Sequence, residues 1–312
     1  MSPSASRPIL LIGATGQIGW ELARAASLSD LVVAPSHGAL DLTNPDQIRR
    51  QVRALEPKLI VNAAAYTAVD RAEQEPELAA AINADAPALL AEEAKRLGIG
   101  LVHFSTDYVF NGEPLDASGE IRPYRESDIP NPINVYGRTK LAGERAIQEI
   151  APVHLILRTS WIYASRGKNF LRTIQGLARE REELKVVGDQ IGSPTWAGWV
   201  AGATACILSR CWRPEDVGRM AEVSGVYHLA AAGQTSWHGF ATAIVNHLRE
   251  SEDAEVAVRR VTAIATSEYP APARRPAYSV LDCSAVRAAL GVSLPDWAEQ
   301  LRLCLEDYTK GR

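Results

Sequence analysis

Cysteine is scarce. The 312 residues hold four, Cys206, Cys211, Cys283 and Cys304, at spacings that match no zinc site and no disulfide framework. They read as reduced thiols of a cytoplasmic protein. No apolar run approaches the roughly 20 residues that a spanning helix needs. Met1 to Arg7 lack the apolar core of a signal peptide and read as a loose tail. Long basic runs are missing and the formal net charge is −4, so neither nucleic acid nor an anionic membrane is expected as partner. Repeats and low-complexity segments are also lacking. No ligand cluster assigns a metal, which leaves Mg2+ dependence undecided. What remains is 46% hydrophobic and 22% charged, the make-up of an ordinary globular chain with one large domain or two unequal ones.

The chain opens on a short apolar run, Pro8–Ile12, shaped like a buried parallel strand. Gly13-Ala14-Thr15-Gly16-Gln17-Ile18-Gly19 follows directly, and Trp20–Ala26 has helical character. Strand, glycine turn and helix in that order are the setting of a dinucleotide fingerprint, here spaced GxxGxxG. Gly13 and Gly16 let backbone approach a pyrophosphate, Gly19 lets helix pack on strand, and the helix N-terminus faces the phosphates. A second strand, Leu31–Ala34, runs into Pro35-Ser36-His37-Gly38. No carboxylate stands there to hold a ribose 2′-hydroxyl or to repel a 2′-phosphate, so NADPH is admitted and NADH stays open. His37 is read as an assistant to that phosphate or as a surface bystander. Asp41 and Leu42 open a turn placed to lie beside the adenine.

After a helix at Asp46–Ala54, a third strand, Leu59–Val61, ends in Asn62-Ala63-Ala64-Ala65-Tyr66-Thr67. Small residues at the carboxyl end of a strand permit close approach of a ligand, or serve only tight packing. Glu73–Leu97 is Ala-rich and reads as one helix with Asn83 at its middle. The strand Leu101–Phe104 then leads into Ser105-Thr106-Asp107-Tyr108. The Thr106 hydroxyl either bonds a substrate oxygen or caps the strand.

Tyr136 and Lys140 lie four apart, hence on one face of a helix. A phenol with a pKa of about 10 is a poor proton donor at neutral pH, and a neighbouring ammonium favours its ionised form. Later segments carry less. Asn169–Arg181, Trp199–Leu208 and Ser236–Arg249 read as helices, and Val226–Ala230 as a strand. Arg274 and Arg275 sit in a Pro-rich loop, as a clamp on a diphosphate or as solvated charges.

Together GATGQIG, NAAAYTAVD, STDYVF and YGRTK resemble the extended short-chain dehydrogenase/reductases. RTSWIYA (Arg158–Ala164), GDQIGSPT (Gly188–Thr195) and PAPARRP (Pro270–Pro276) extend the resemblance, most closely to the dTDP-4-dehydrorhamnose reductase family, over nearly the whole chain. The resemblance implies an α/β fold: a Rossmann-type doubly wound parallel sheet at residues 1–160, and a smaller α/β substrate domain at 161–312. A segment near 196–230 is expected to pack back onto the first. It implies Thr106, Tyr136 and Lys140 as the catalytic set, with NADPH as cofactor. Gly16, Gln17 and Ile18 are assigned to the phosphate turn, and Asp41 and Leu42 to the adenine. Ala63, Ala64, Ala65, Tyr66 and Thr67 would line the cofactor, with Phe104 beneath it and Tyr136 and Lys140 at its ribose. Asp107 and Trp161 would face a nucleotide sugar, although a buried indole also serves as core filler. Ser36 and His37 depart from an acid that many relatives carry.

The implied reaction is hydride transfer to the 4-keto group of dTDP-4-dehydro-L-rhamnose, the last step of dTDP-L-rhamnose synthesis, by a soluble enzyme for which the resemblance suggests a homodimer. Two other readings stay open. Another nucleotide-sugar reductase, epimerase or dehydratase is one, though Tyr108 stands where dehydratases place an acid. The other is a non-catalytic subunit similar to the regulatory subunit of methionine adenosyltransferase.

Overall fold

The computed structural model describes residues 7–26, 31–115, 118–213, 216–250 and 256–310. The expected tail, Arg7 apart, lies outside the described residues. The strands that build the framework are β1 (Ile9–Ile12), β2 (Val32–Val33), β3 (Leu59–Asn62), β4 (Gly100–Thr106), β5 (His154–Thr159), β6 (Glu183–Val187), β7 (Gly225–His228) and β8 (Arg260–Ile264). Six form one parallel sheet in the order β7-β5-β4-β3-β1-β2. The other two, β6 and β8, pair in parallel elsewhere.

β1, β3, β4 and β5 are buried at every position, as parallel strands covered on both faces must be. The side chains alternate. Leu10, Ile12, Ile60 and Leu101 pack with Ile48, Val52, Leu90 and Ile147, from α2 (Pro45–Leu55), α4 (Ala86–Leu97) and α5 (Val135–Ile150). Leu11, Leu59, Val61 and Leu155 pack on the opposite face with Leu22, Val200 and Ile207, from α1 (Gln17–Ala26) and α7 (Ala197–Cys211). Thus β7 and α7, late in the chain, join the sheet built by its first half. A separate core of Tyr163, Leu171, Ile174, Phe240, Ile244 and Leu301 gathers α6 (Phe170–Glu180), α8 (Trp237–Glu250) and α9 (Trp297–Lys310) around β6.

The single helix expected over Glu73–Leu97 is interrupted. α3 (Pro76–Ala80) gives way to a π turn at Ala81–Asp85 before α4 begins. Residue 87 is proline, so the Asn83 carbonyl lacks the N–H that an α-helix would offer it. The Asn83 side chain accepts from the Tyr66 N–H (2.8 Å) and donates to the Tyr66 carbonyl (3.2 Å) and to the Thr139 hydroxyl (3.1 Å). The widened turn therefore pins the segment after β3 to α5.

α5 is capped by Asn134, whose Oδ1 accepts from the Gly137 N–H at 2.8 Å. A buried ion pair fixes it further along: Arg158 of β5 donates to Glu144 at 2.7 Å and 2.9 Å. Both side chains are almost wholly buried.

Candidate active site

The order of strands reverses between β1 and β3, and in sheets of this kind ligands bind at the carboxyl ends beside that switch point. A cleft of about 770 Å³ opens there. Gly13, Gly16, Gln17 and Ile18 line it from the turn after β1, Ala63, Ala64, Ala65 and Thr67 from the end of β3, and Phe104 and Thr106 from β4. Gly13 has φ +85°, and a Cβ there would stand 2.5 Å from the Ala64 nitrogen. A Cβ on Gly19 would lie 2.1 Å from the Gly13 carbonyl oxygen. Bare backbone, the start of α1 and small residues thus form a cradle that fits a dinucleotide diphosphate.

Not every expected cofactor residue faces this cradle. Gly19 supports it from behind. Tyr66 turns its phenol to the Glu75 carboxylate. Ser36 and Asp41 do not line the cleft: the Asp41 carboxylate accepts from Thr43 N–H (2.9 Å) and hydroxyl (2.8 Å), while Pro35, His37, Leu40 and Leu42 form that wall.

At the end of β4 the Thr106 hydroxyl accepts from the Tyr108 N–H at 3.2 Å and donates to Asp107 at 3.1 Å. Asp107 is 2% exposed, lines the cleft, and has an Oδ2 without a partner. Burial pushes its carboxyl up to about 7, against hydrogen bonds from Ser279 and Thr106. A buried polar atom left unsatisfied at a cleft wall is suited to a ligand's hydrogen bond.

Tyr136 and Lys140 both line the cleft from α5, but the expected phenol–ammonium contact is not formed. Lys140 Nζ lies 2.6 Å from the Phe104 carbonyl and 3.0 Å from His103 Nε2. Burial pushes the phenol up to about 12 and lowers the amine to about 8. The spacing of four residues puts the two groups on one face, and the buried polar atoms of β4 then claim the longer side chain. His103, fully buried, was not singled out by the sequence; its position inside a strand offers no local signal.

Trp161 stands on the far wall with φ +47°. Its indole stacks on Trp237 with centroids 3.6 Å apart and planes 2° from parallel. Arg166 and Lys168 line the same side, with the Arg166 guanidinium 3.9 Å over the Trp20 ring. Sequence reasoning missed Trp237, Arg166 and Lys168, which lie in segments without a motif. Arg275 does not line the cleft. It donates twice to Asp70, at 2.6 Å and 2.7 Å. Among the described residues no cluster of possible metal ligands occurs, no helix is long and apolar enough to cross a membrane, and all four cysteines are free.

A doubly wound parallel sheet with a glycine cradle and a Thr/Tyr/Lys set at the strand ends defines a Rossmann-type nucleotide-dependent reductase. Comparison with known proteins narrows the class. The family model described as RmlD substrate binding domain matches residues 7–310. The dTDP-4-dehydrorhamnose reductase of Burkholderia thailandensis is 48% identical over 300 residues, covering 96% of this chain and 98% of that protein. The Escherichia coli K12 enzyme of the same name is 43% identical, covering 96% and 97%. A dTDP-4-dehydrorhamnose reductase from Bacillus anthracis, solved in complex with NADP, superposes with a TM-score of 0.84 at 33% identity, covering 97% of this chain and all of that one (100%). The chain belongs to the dTDP-4-dehydrorhamnose reductase family.

Proposed function

We propose that this protein reduces the 4-keto group of dTDP-4-dehydro-L-rhamnose to give dTDP-L-rhamnose, with NADPH as the electron source. The observation that carries the reading is the convergence of Thr106, Asp107 and Tyr136 on one cleft whose other wall is the glycine cradle. The family relationship supplies the substrate. NADPH is favoured because Pro35 and His37, with no carboxylate, form the wall after β2, and the relative from Bacillus anthracis was solved with NADP.

When bound, the reduced nicotinamide supplies the hydride. The protein's part is orientation and charge. The backbone of Gly13 to Ile18 holds the diphosphate, and Ala63 to Ala65 let the dinucleotide lie close over β3. Lys140, on α5, would hold the nicotinamide ribose. As negative charge develops on the sugar's C4 oxygen, the Tyr136 phenol donates its proton there and the Thr106 hydroxyl donates a hydrogen bond. Asp107 and the Trp161–Trp237 wall orient the sugar, and Arg166 and Lys168 stand where an anionic nucleotide would enter. Residues 1–160, joined by the segment near 196–230, are assigned to the cofactor, and 161–312 mainly to the substrate. A cytoplasmic homodimer is the assembly this reading carries, and sedimentation of the purified chain tests the dimer.

Purified protein incubated with dTDP-4-dehydro-L-rhamnose and NADPH is expected to yield dTDP-L-rhamnose, identified by NMR of the product. Unchanged keto sugar with either NADPH or NADH, together with a stable complex with a partner enzyme, would replace this reading by the non-catalytic one.

A further inference from the structure

Lys140 is held by a hydrogen-bonded chain whose polarity can be read from its far end. Asn62 and His103 are register partners across β3 and β4, so their side chains leave the sheet on one face. Asn62 Oδ1 accepts from the Ala64 N–H at 3.2 Å. The amide nitrogen of Asn62 therefore faces His103 Nδ1, 3.1 Å away, as a donor. An imidazole nitrogen that accepts a hydrogen bond carries no proton, and a neutral imidazole then holds its proton on the other nitrogen. That other nitrogen, Nε2, is the one 3.0 Å from Lys140 Nζ.

An ammonium has three N–H groups and no lone pair. Set against an Nε2–H it would be donor against donor. An amine resolves the conflict: its lone pair accepts from His103, and one of its hydrogens bonds the Phe104 carbonyl at 2.6 Å. We propose that His103, polarised by Asn62, is a positioning residue that weakens the hold of Lys140 on its proton, so that in the free protein Lys140 is a neutral amine at mildly alkaline pH and takes up a proton there when the dinucleotide binds.

The charged groups around the amine agree. Asn62, His103 and Lys140 are 0%, 0% and 1% exposed, and an uncompensated buried ammonium is costly. Glu144, one turn along α5, is the nearby acid that favours the charged form, and Arg158 already engages both of its oxygens. Asp107, at the end of β4, is bonded to Thr106. Tyr136, one turn back on α5, is neutral. His103 is itself kept from protonating by burial. Burial lowers the amine from 10.5 to about 8. A bound dinucleotide would bring ribose hydroxyls to Lys140 and anionic phosphates into the same cleft, and these would restore its affinity for a proton. The nucleotide enters through the function proposed above; the state of Lys140 in the free protein does not depend on it.

The test is NMR of lysine side chains labelled at Cε and Nζ in the full chain, with Lys140→Arg to assign the signal. Lys140 is expected to titrate about two pH units below exposed lysines. An Asn62→Asp chain offers His103 Nδ1 an acceptor, turns the imidazole round and is expected to move that titration up by at least a unit of pH. Calorimetry of NADPH binding at about pH 8.5, in buffers of different ionisation enthalpy, should register uptake of a fraction of a proton approaching one. A Lys140 signal in the ordinary range, titrating with the exposed lysines, overturns the proposal even if NADPH binds. A low titration in a chain that fails to bind NADPH supports the neutral amine, overturns the proton uptake and removes the cofactor reading.

Discussion

The indole of Trp161 lies flat on that of Trp237, 3.6 Å away, and it reaches that position through a backbone conformation that bulky residues seldom adopt. Such strain costs about 1–3 kcal/mol and persists only where the surroundings impose it. Gly192 is part of what imposes it: a Cβ there would come within 2.4 Å of Trp161 Cε2. Gly192→Ala therefore displaces the ring. The expected result is a rise in KM for the nucleotide sugar of about tenfold, near 1.4 kcal/mol, with NADPH affinity unchanged, read from steady-state kinetics and a separate binding titration.

Gly13→Ala should act on the other wall. Its φ of +85° and the 2.5 Å approach to the Ala64 nitrogen leave a methyl nowhere to go, because backbone stands in its way. Expected are weaker NADPH binding and a stability loss of about 1–3 kcal/mol. Nucleotide fluorescence titration and urea unfolding measure the two effects.

Asp107 makes stability depend on pH with a definite sign. Burial raises its carboxyl from 3.8 to about 7. Between those values the folded chain keeps a proton that the unfolded chain has lost, so this contribution falls as pH rises through the window. Asp107→Asn cannot ionise. The stability of the variant relative to the native chain should thus increase from about pH 4 to pH 7 and level off on either side, as urea midpoints across that range will show.

The Arg158–Glu144 pair predicts a large single effect and a small double one. Arg158→Met strands Glu144, 0% exposed, as an unpaired buried charge, a loss of about 3–5 kcal/mol. Arg158→Met with Glu144→Leu removes both charges and should recover most of it. Calorimetric unfolding of the three proteins gives the comparison. Because α5 carries Tyr136 and Lys140, activity should follow stability in this series.

Legibility in the sequence followed the range of the forces. The strand–GATGQIG–helix unit could be read because its requirements are local: an apolar run, three glycines and a helix start. The parallel sheet followed from apolar strands alternating with helical stretches, as at Leu59–Val61 and Leu101–Phe104. The spacing of Tyr136 and Lys140 gave their shared face but not the direction of the Lys140 amine, which is decided by His103 and the Phe104 carbonyl on another element. Trp237 lies 76 positions after Trp161, a stack that no periodicity announces. Arg275 looked free in a Pro-rich loop, and its partner, Asp70, is 205 residues away. The helical period over Glu73–Leu97 concealed a π turn, because one proline alters a single carbonyl's bonding without disturbing the apolar stripe.

The most direct test concerns the hydroxyl that is assigned the proton. With NADPH and dTDP-4-dehydro-L-rhamnose, the native chain should consume the reduced nicotinamide, followed by its near-ultraviolet absorbance. Tyr136→Phe keeps the ring and should lose roughly 10²–10⁴-fold in kcat while binding NADPH as before. A Tyr136→Phe protein that turns over at the native rate would contradict the account.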